Sequence, residues 1–132
     1  MLRPLIYVAG PYGSTSETLE GRKRNVELAD QVGREIAFMG GAPFIPHKNT
    51  FGWERAFDAS HLSTRLAVPK RIIFECDFAV LHACKALVWV KEVTTGVAAE
   101  MAYSAILDKP IFAWPDERRQ LESWLNAWKY RA

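Results

Sequence analysis

Glu100 stands in the run Thr94-Thr95-Gly96-Val97-Ala98-Ala99-Glu100-Met101-Ala102-Tyr103, between two strand-like stretches, Ala86-Leu87-Val88-Trp89-Val90 and Pro110-Ile111-Phe112-Ala113-Trp114. A carboxylate one turn into a helix that opens with glycine has the chemistry of a nucleophile, and the positive end of the helix macrodipole is expected to keep it ionised. Asp77, in Glu75-Cys76-Asp77-Phe78, supplies a second carboxyl, and Tyr7 and Tyr12 flank an earlier loop with phenols. Two carboxyls in different environments can divide the labour of one reaction. One stays ionised to attack or to stabilise positive charge, while the other carries a proton to a leaving group.

Positioning these groups requires a scaffold, and the chain alternates strand-like and helix-like segments. Leu5 to Ala9 is an apolar run ending in the loop Gly10-Pro11-Tyr12-Gly13, where Ser14, Thr15 and Ser16 can cap a helix over 17–39. Ala42 to Ile45 makes a brief second strand stopped by Pro46-His47, followed by a loop with Phe51, Gly52 and Trp53 that is long enough to be a lid. From His61 to His82 the pattern is helical with a break at Pro69, which predicts a short helix and then a longer one. The strand 86–90, a helix from Gly96 to Leu107, the strand 110–114 and a final helix near 117–128 complete the pass. Such alternation predicts an α/β Rossmann- or flavodoxin-like three-layer sandwich on a four- to five-stranded parallel sheet. In sheets of this kind ligands bind beyond the strand C-termini. The loop after strand one, the Asp77 segment and the Thr94–Glu100 turn should therefore meet at one edge.

The 132 residues suit one domain spanning 1–132, with apolar content sufficient for a single core. Seventeen basic against fifteen acidic residues leave +2, which argues against a nucleic-acid surface or membrane adhesion and toward a small-molecule ligand. Cys76 and Cys84 are read as reduced and mostly buried in one helix, the N-terminus lacks a signal-like segment, and the expected location is the cytoplasm. His47, His61 and His82 show no metal-ligand pairing, so neither a metal nor another cofactor is expected.

Taken together, Ile6-Tyr7-Val8-Ala9-Gly10-Pro11-Tyr12, Asn25, the run Gly41-Ala42-Pro43-Phe44-Ile45-Pro46-His47, Asp77, and Thr94-x-Gly96-Val97-x-x-Glu100 with Tyr103-Ser104-Ala105 resemble the nucleoside 2-deoxyribosyltransferase-like superfamily, including its nucleoside 5'-monophosphate N-glycosidase branch. The resemblance implies that Glu100 attacks the anomeric carbon of the sugar, that Asp77 is the partner acid near the leaving base, and that Tyr7 orients the glutamate. Such a bond breaks through an oxocarbenium-like state that a carboxylate can trap. Transferases of that superfamily usually carry aspartate six residues before the nucleophile, where this chain has Thr94. A threonine hydroxyl can donate to a phosphate but cannot replace a carboxylate, which favours the nucleotide hydrolases. An anion site is expected from Thr94, the amides of Gly96 and Val97, and Ser14, Thr15 and Ser16. Gly10, Tyr12, Gly13, Arg22, His47 and Trp53 are further substrate-binding candidates, and Lys91 is a possible phosphate contact.

Each residue also has a plainer reading. Glu100 could complement the helix dipole, Asp77 could be an exposed acid paired with Lys70 or Arg71, and Tyr7 could be core. Lys85, where many relatives have aspartate, is read as capping the preceding helix end. Leu121, Trp124, Leu125 and Trp128 form a stripe suited to core or a subunit interface, and the resemblance implies a homodimer or larger homo-oligomer. The expected function is hydrolysis of the N-glycosidic bond of a nucleoside 5'-monophosphate to free base and sugar phosphate. The alternatives are base exchange by a deoxyribosyltransferase, a non-catalytic nucleotide sensor and, last, a flavodoxin-like redox module.

Overall fold

The computed structural model describes residues 2–12, 18–53 and 67–128. Gly13, Ser14, Thr15 and Ser16, and the short helix expected from His61, lie outside the described residues. Four parallel strands, β1 (Leu5–Ala9), β2 (Ala42–Phe44), β3 (Ala86–Val90) and β4 (Ile111–Trp114), form one sheet in the order β2-β1-β3-β4. Tyr7 of β1 lies opposite Phe44 and Leu87, and Val88 lies opposite Phe112. Five helices accompany them: α1 (Leu19–Met39), α2 (Pro46–Asn49), α3 (Lys70–Ala83), α4 (Thr95–Ile106) and α5 (Arg118–Trp128).

A parallel strand covered on both faces is apolar at every position rather than at alternate ones, and Ile6 to Ala9 are all fully buried. Ile6 and Val8 pack with Ala29, Val32 and Ile36 of α1 and Leu121 and Leu125 of α5, while Tyr7 and Ala9 pack with Leu81 of α3, Cys84 and Val97 of α4. Helices thus cover both faces, as the three-layer expectation requires. The stripe on α5 is core: Leu121 and Leu125 are buried and Trp124 packs on them. Among the described residues no helix is long and apolar enough to cross a membrane.

Glycine is required where α1 gives way to β2. Gly40 ends the helix at φ 109°, its N–H donating to the Ala37 carbonyl at 3.2 Å. A Cβ on Gly41 would lie 2.7 Å from Ile36 Cγ2 and 3.0 Å from Ile6 Cγ1, so no side chain fits where the chain drops onto β1.

Several local expectations are corrected. Thr18 is the N-cap of α1, its hydroxyl accepting from the Gly21 amide at 3.0 Å, so the helix begins at Leu19. The start of the expected lid loop is the helix α2, with Pro46 at its first position. Cys76 is exposed, and Cys84 is buried just beyond the end of α3. The lysine that closes that end is Lys109, whose Nζ donates to the carbonyls of Leu81 at 2.8 Å and of His82 and Cys84 at 2.5 Å each. Lys85 is exposed and contributes its backbone amide to the Leu5 carbonyl at 2.8 Å. The ammonium of Lys109 thus satisfies carbonyls that the end of the helix leaves without an intrahelical partner.

Candidate active site

β1 has β2 on one side and β3 on the other, so the chain switches direction between β1 and β3, and the crevice beyond their C-termini is the natural ligand site of the fold. Gly10 follows β1 there and α4 follows β3. Alternation along β1 turns Tyr7 toward α3 and α4, where it is fully buried. On α4 the buried positions are Val97, Glu100 and Ser104, spaced three and four apart as one helix face requires. The two elements meet through the Tyr7 hydroxyl, which donates a hydrogen bond to Glu100 Oε2. Behind Glu100, the Ser104 hydroxyl donates to its backbone carbonyl at 2.9 Å. Asp77 projects from α3 into the same cavity, and both carboxyls are only 4% exposed.

Burial decides the charge state of this group. It pushes the Glu100 carboxyl up to about 7, the Tyr7 hydrogen bond pulls in the opposite direction, and the nearby Asp77 charge adds to the rise. Burial likewise lifts Asp77 to about 6. The Tyr7 phenol is driven far above its ordinary value by burial, and then by the negative charges of Glu100 and Asp77, so it remains a proton-bearing donor. Glu100 is therefore only partly ionised near neutral pH, where the helix dipole was expected to keep it charged. Glu100 is the sixth residue of α4, no acid occupies its first turn, and the dipole's influence fades within that turn. The reading of Asp77 as an exposed acid paired with Lys70 or Arg71 fails too, because Arg71 pairs with Glu75 at 2.9 Å.

The loop after β1 is fixed by several contacts. The Tyr12 carbonyl accepts from Asn25 Nδ2 at 2.8 Å and its hydroxyl accepts from the Gly52 amide at 3.0 Å. Its ring stacks on His47 with centroids 4.9 Å apart, and the Arg22 guanidinium lies 5.6 Å from the ring centre. His47 Nε2 donates to the Gly10 carbonyl at 2.8 Å; a carbonyl can only accept, so the proton is on Nε2. At the start of α4, Thr94 is the N-cap, its Oγ1 accepting from the Val97 amide at 3.2 Å. That bond takes Val97 N–H out of the expected anion site. It leaves the Thr94 hydroxyl proton, and the first-turn amides of Thr95 and Gly96 have no partner within the helix.

These groups line one cavity of about 760 Å³. Gly10, Tyr12, Arg22, His47, Asp77, Thr94, Gly96, Val97 and Glu100 are all in its wall, and Tyr7 stands behind Glu100. Trp53 is not among the lining residues; it closes the turn from Thr50, and its carbonyl accepts from the Val68 amide at 2.6 Å. Lys91 is also outside the lining, exposed at the end of β3 with φ 74°. Sequence reasoning missed Lys70, Arg71, Ile73, Phe74 and Phe78, which share the wall with Asp77. The helical spacing of Lys70, Ile73 and Phe74 from Asp77 was the available signal. A second cavity of about 420 Å³, between α1 and β2, holds an Asp30–Lys48 ion pair at 2.7 Å and no buried carboxyl.

No protein-family model matches the chain, and no curated protein matches it in sequence. Solved structures do share its fold. A 2-deoxyribosyltransferase from Leishmania mexicana superposes with a TM-score of 0.54 at 22% identity, the match covering 83% of this chain and 63% of that one. A 2-deoxyribosyltransferase from the psychrotolerant bacterium Bacillus psychrosaccharolyticus gives 0.52 at 22% identity, covering 83% and 70%. This chain thus spans less than two thirds of the length of the Leishmania protein, and at this identity the likeness establishes the fold.

A buried carboxyl pair with raised pKa values also marks stability. The folded chain holds these protons to higher pH than the unfolded chain, so stability falls as pH rises from about 4 to about 7, and the loss is complete above that window. Glu100→Gln removes the larger part while keeping an acceptor for Tyr7. The variant is expected to match the parent near pH 4 and to be more stable at pH 8 by on the order of 3 kcal/mol. Thermal unfolding of both proteins across that range checks it. An offset that does not change with pH would contradict the assigned burial cost.

Proposed function

We propose that the chain cleaves the N-glycosidic bond of a nucleoside 5'-monophosphate, with Glu100 as nucleophile, Asp77 as acid and then base, and Tyr7 as the orienting phenol. The observation that carries this reading is the Tyr7–Glu100–Asp77 group at the floor of the cavity. Glu100 attacks the anomeric carbon as its bond to the base nitrogen breaks. The bonding pair leaves with the base, which takes the Asp77 proton. A water then gives a proton to the Asp77 carboxylate and attacks the same carbon, releasing the sugar phosphate and restoring Glu100. Tyr7 donates to Oε2 and thereby holds the glutamate in one orientation. Burial raises the reactivity of the carboxylate once formed, because it is poorly solvated.

The phosphate preference is supported by Thr94 at the start of α4, where a hydroxyl stands in place of a carboxylate, and by the cations Arg22, Lys70 and Arg71 in the wall. A second reading, transfer of the sugar to another base, is favoured by the 2-deoxyribosyltransferases that share the fold. The two separate in one incubation of a monophosphate with a different free base. Hydrolysis yields sugar phosphate and is indifferent to the added base. Transfer yields a new nucleotide in proportion to it, and that product as the main one would overturn the hydrolase reading.

A further inference from the structure

We propose that Lys70 and Arg71 at the rim of the Glu100 cavity select a phosphorylated substrate, and that Glu75 limits their grip by competing for Arg71. This deepens the nucleotide reading and rests on it. Two carboxyls at the floor of the cavity repel an anionic ligand, so a substrate with a phosphate needs compensating charge elsewhere in the wall. Lys70 and Arg71 are the first two residues of α3 and both line the cavity.

Their surroundings are locally unfavourable without an anion. Pro69 caps α3 with no side-chain hydrogen bond, and no acid lies in the first turn, so two cations sit at the positive end of a helix dipole. Phe74 ties this turn to the start of α4, because a Cβ on Gly96 would meet its ring at 3.6 Å. Lys70 and Arg71 precede Phe74 by four and three residues and so share its side of α3. The cations therefore flank the same end of the cavity as the Thr94 hydroxyl and the Thr95 and Gly96 amides. One turn beyond Phe74, Asp77 is 4% exposed and faces the cavity. The site is bipolar. Its floor suits positive charge developing on a sugar, and its rim suits a phosphate several bonds away.

Arg71 is held by Glu75 at 2.9 Å, with the two side chains 72% and 63% exposed. A pair so wetted is weak, and a phosphate making charge-assisted hydrogen bonds displaces it readily. Glu75 also lines the cavity, so it both occupies Arg71 and repels the ligand.

The test uses calorimetric titration of the full chain carrying Glu100→Gln, which binds without turnover. The ligands are matched nucleoside 5'-monophosphates and nucleosides, and inorganic phosphate, each at low and high salt. Adding Lys70→Ala with Arg71→Ala is expected to weaken monophosphates by about tenfold or more, and to leave nucleosides within about twofold. Adding Glu75→Gln instead is expected to tighten monophosphates and inorganic phosphate several-fold, an effect that shrinks at high salt. Unchanged monophosphate binding in the double substitution, or equal weakening of nucleosides, overturns selection by the rim. Unchanged binding with Glu75→Gln overturns the competition. If the phosphate dependence persists while the unaltered chain releases no base, the rim's role stands and the glycosidase reading alone falls.

Discussion

Glu100→Gln is expected to lower base release by about 10³-fold or more, with monophosphate binding retained. The substitution keeps shape, volume and an acceptor for the Tyr7 hydroxyl, and it removes the cost of burying a charge, so the variant folds at least as well as the parent. On the proposed mechanism it deletes the electron pair that forms the bond to the anomeric carbon. An amide oxygen is a far weaker nucleophile and cannot leave cleanly from the intermediate. Single-turnover release of base, followed with enzyme in excess, isolates this step from product departure. Activity within about tenfold of the parent would remove Glu100 from the chemistry.

Asp77→Asn is expected to lower release by about 10²- to 10³-fold and to change the shape of the pH profile. The two carboxyls titrate as a pair, with values of about 6 and about 7. In the proposed mechanism the productive form carries one proton on the pair, with Glu100 ionised and Asp77 protonated. The Tyr7 hydrogen bond and positive charge developing on the sugar both favour the Glu100 carboxylate and so move the proton toward Asp77 as reaction proceeds. The parent's rate should peak near about pH 6.5, falling below as both groups take protons and above as both lose them. Asparagine cannot titrate. The alkaline limb should vanish, leaving a slow rate that rises with pH to a plateau. A bell of unchanged shape in the variant would assign that limb to another group.

The strands were legible because parallel strands buried on both faces give short continuous apolar runs, and Leu5–Ala9 and Ala86–Val90 have no competing periodicity. The order of elements fixed which loops share the sheet edge, and with it the meeting of Tyr7, Asp77 and Glu100. What depended on contacts between distant segments was not legible. Lys109 closes the end of α3 from 25 or more positions away, and nothing local distinguishes it from Lys85. The raised pKa of Glu100 was not legible because the helix dipole is a local property, whereas burial and the neighbouring Tyr7 and Asp77 come from distant segments. Lys70 and Arg71 entered only in the plainer reading of Asp77, as partners of an exposed acid. The structure instead pairs Arg71 with Glu75, and Asp77 faces the cavity. Trp53 lies outside the cavity wall for a related reason, since an aromatic in a polar loop signals a surface position without saying which surface.

We propose that this cavity breaks the N-glycosidic bond of a phosphorylated nucleoside. The most direct measurement is chromatographic detection of free base from a panel of ribo- and deoxyribonucleoside 5'-monophosphates beside their unphosphorylated nucleosides, with Glu100→Gln run in parallel. Release from at least one monophosphate, far slower from its nucleoside and lost in the variant, is the expected result. Release that is equal for nucleoside and monophosphate, or that survives in Glu100→Gln, would contradict the account, as would no release from any member.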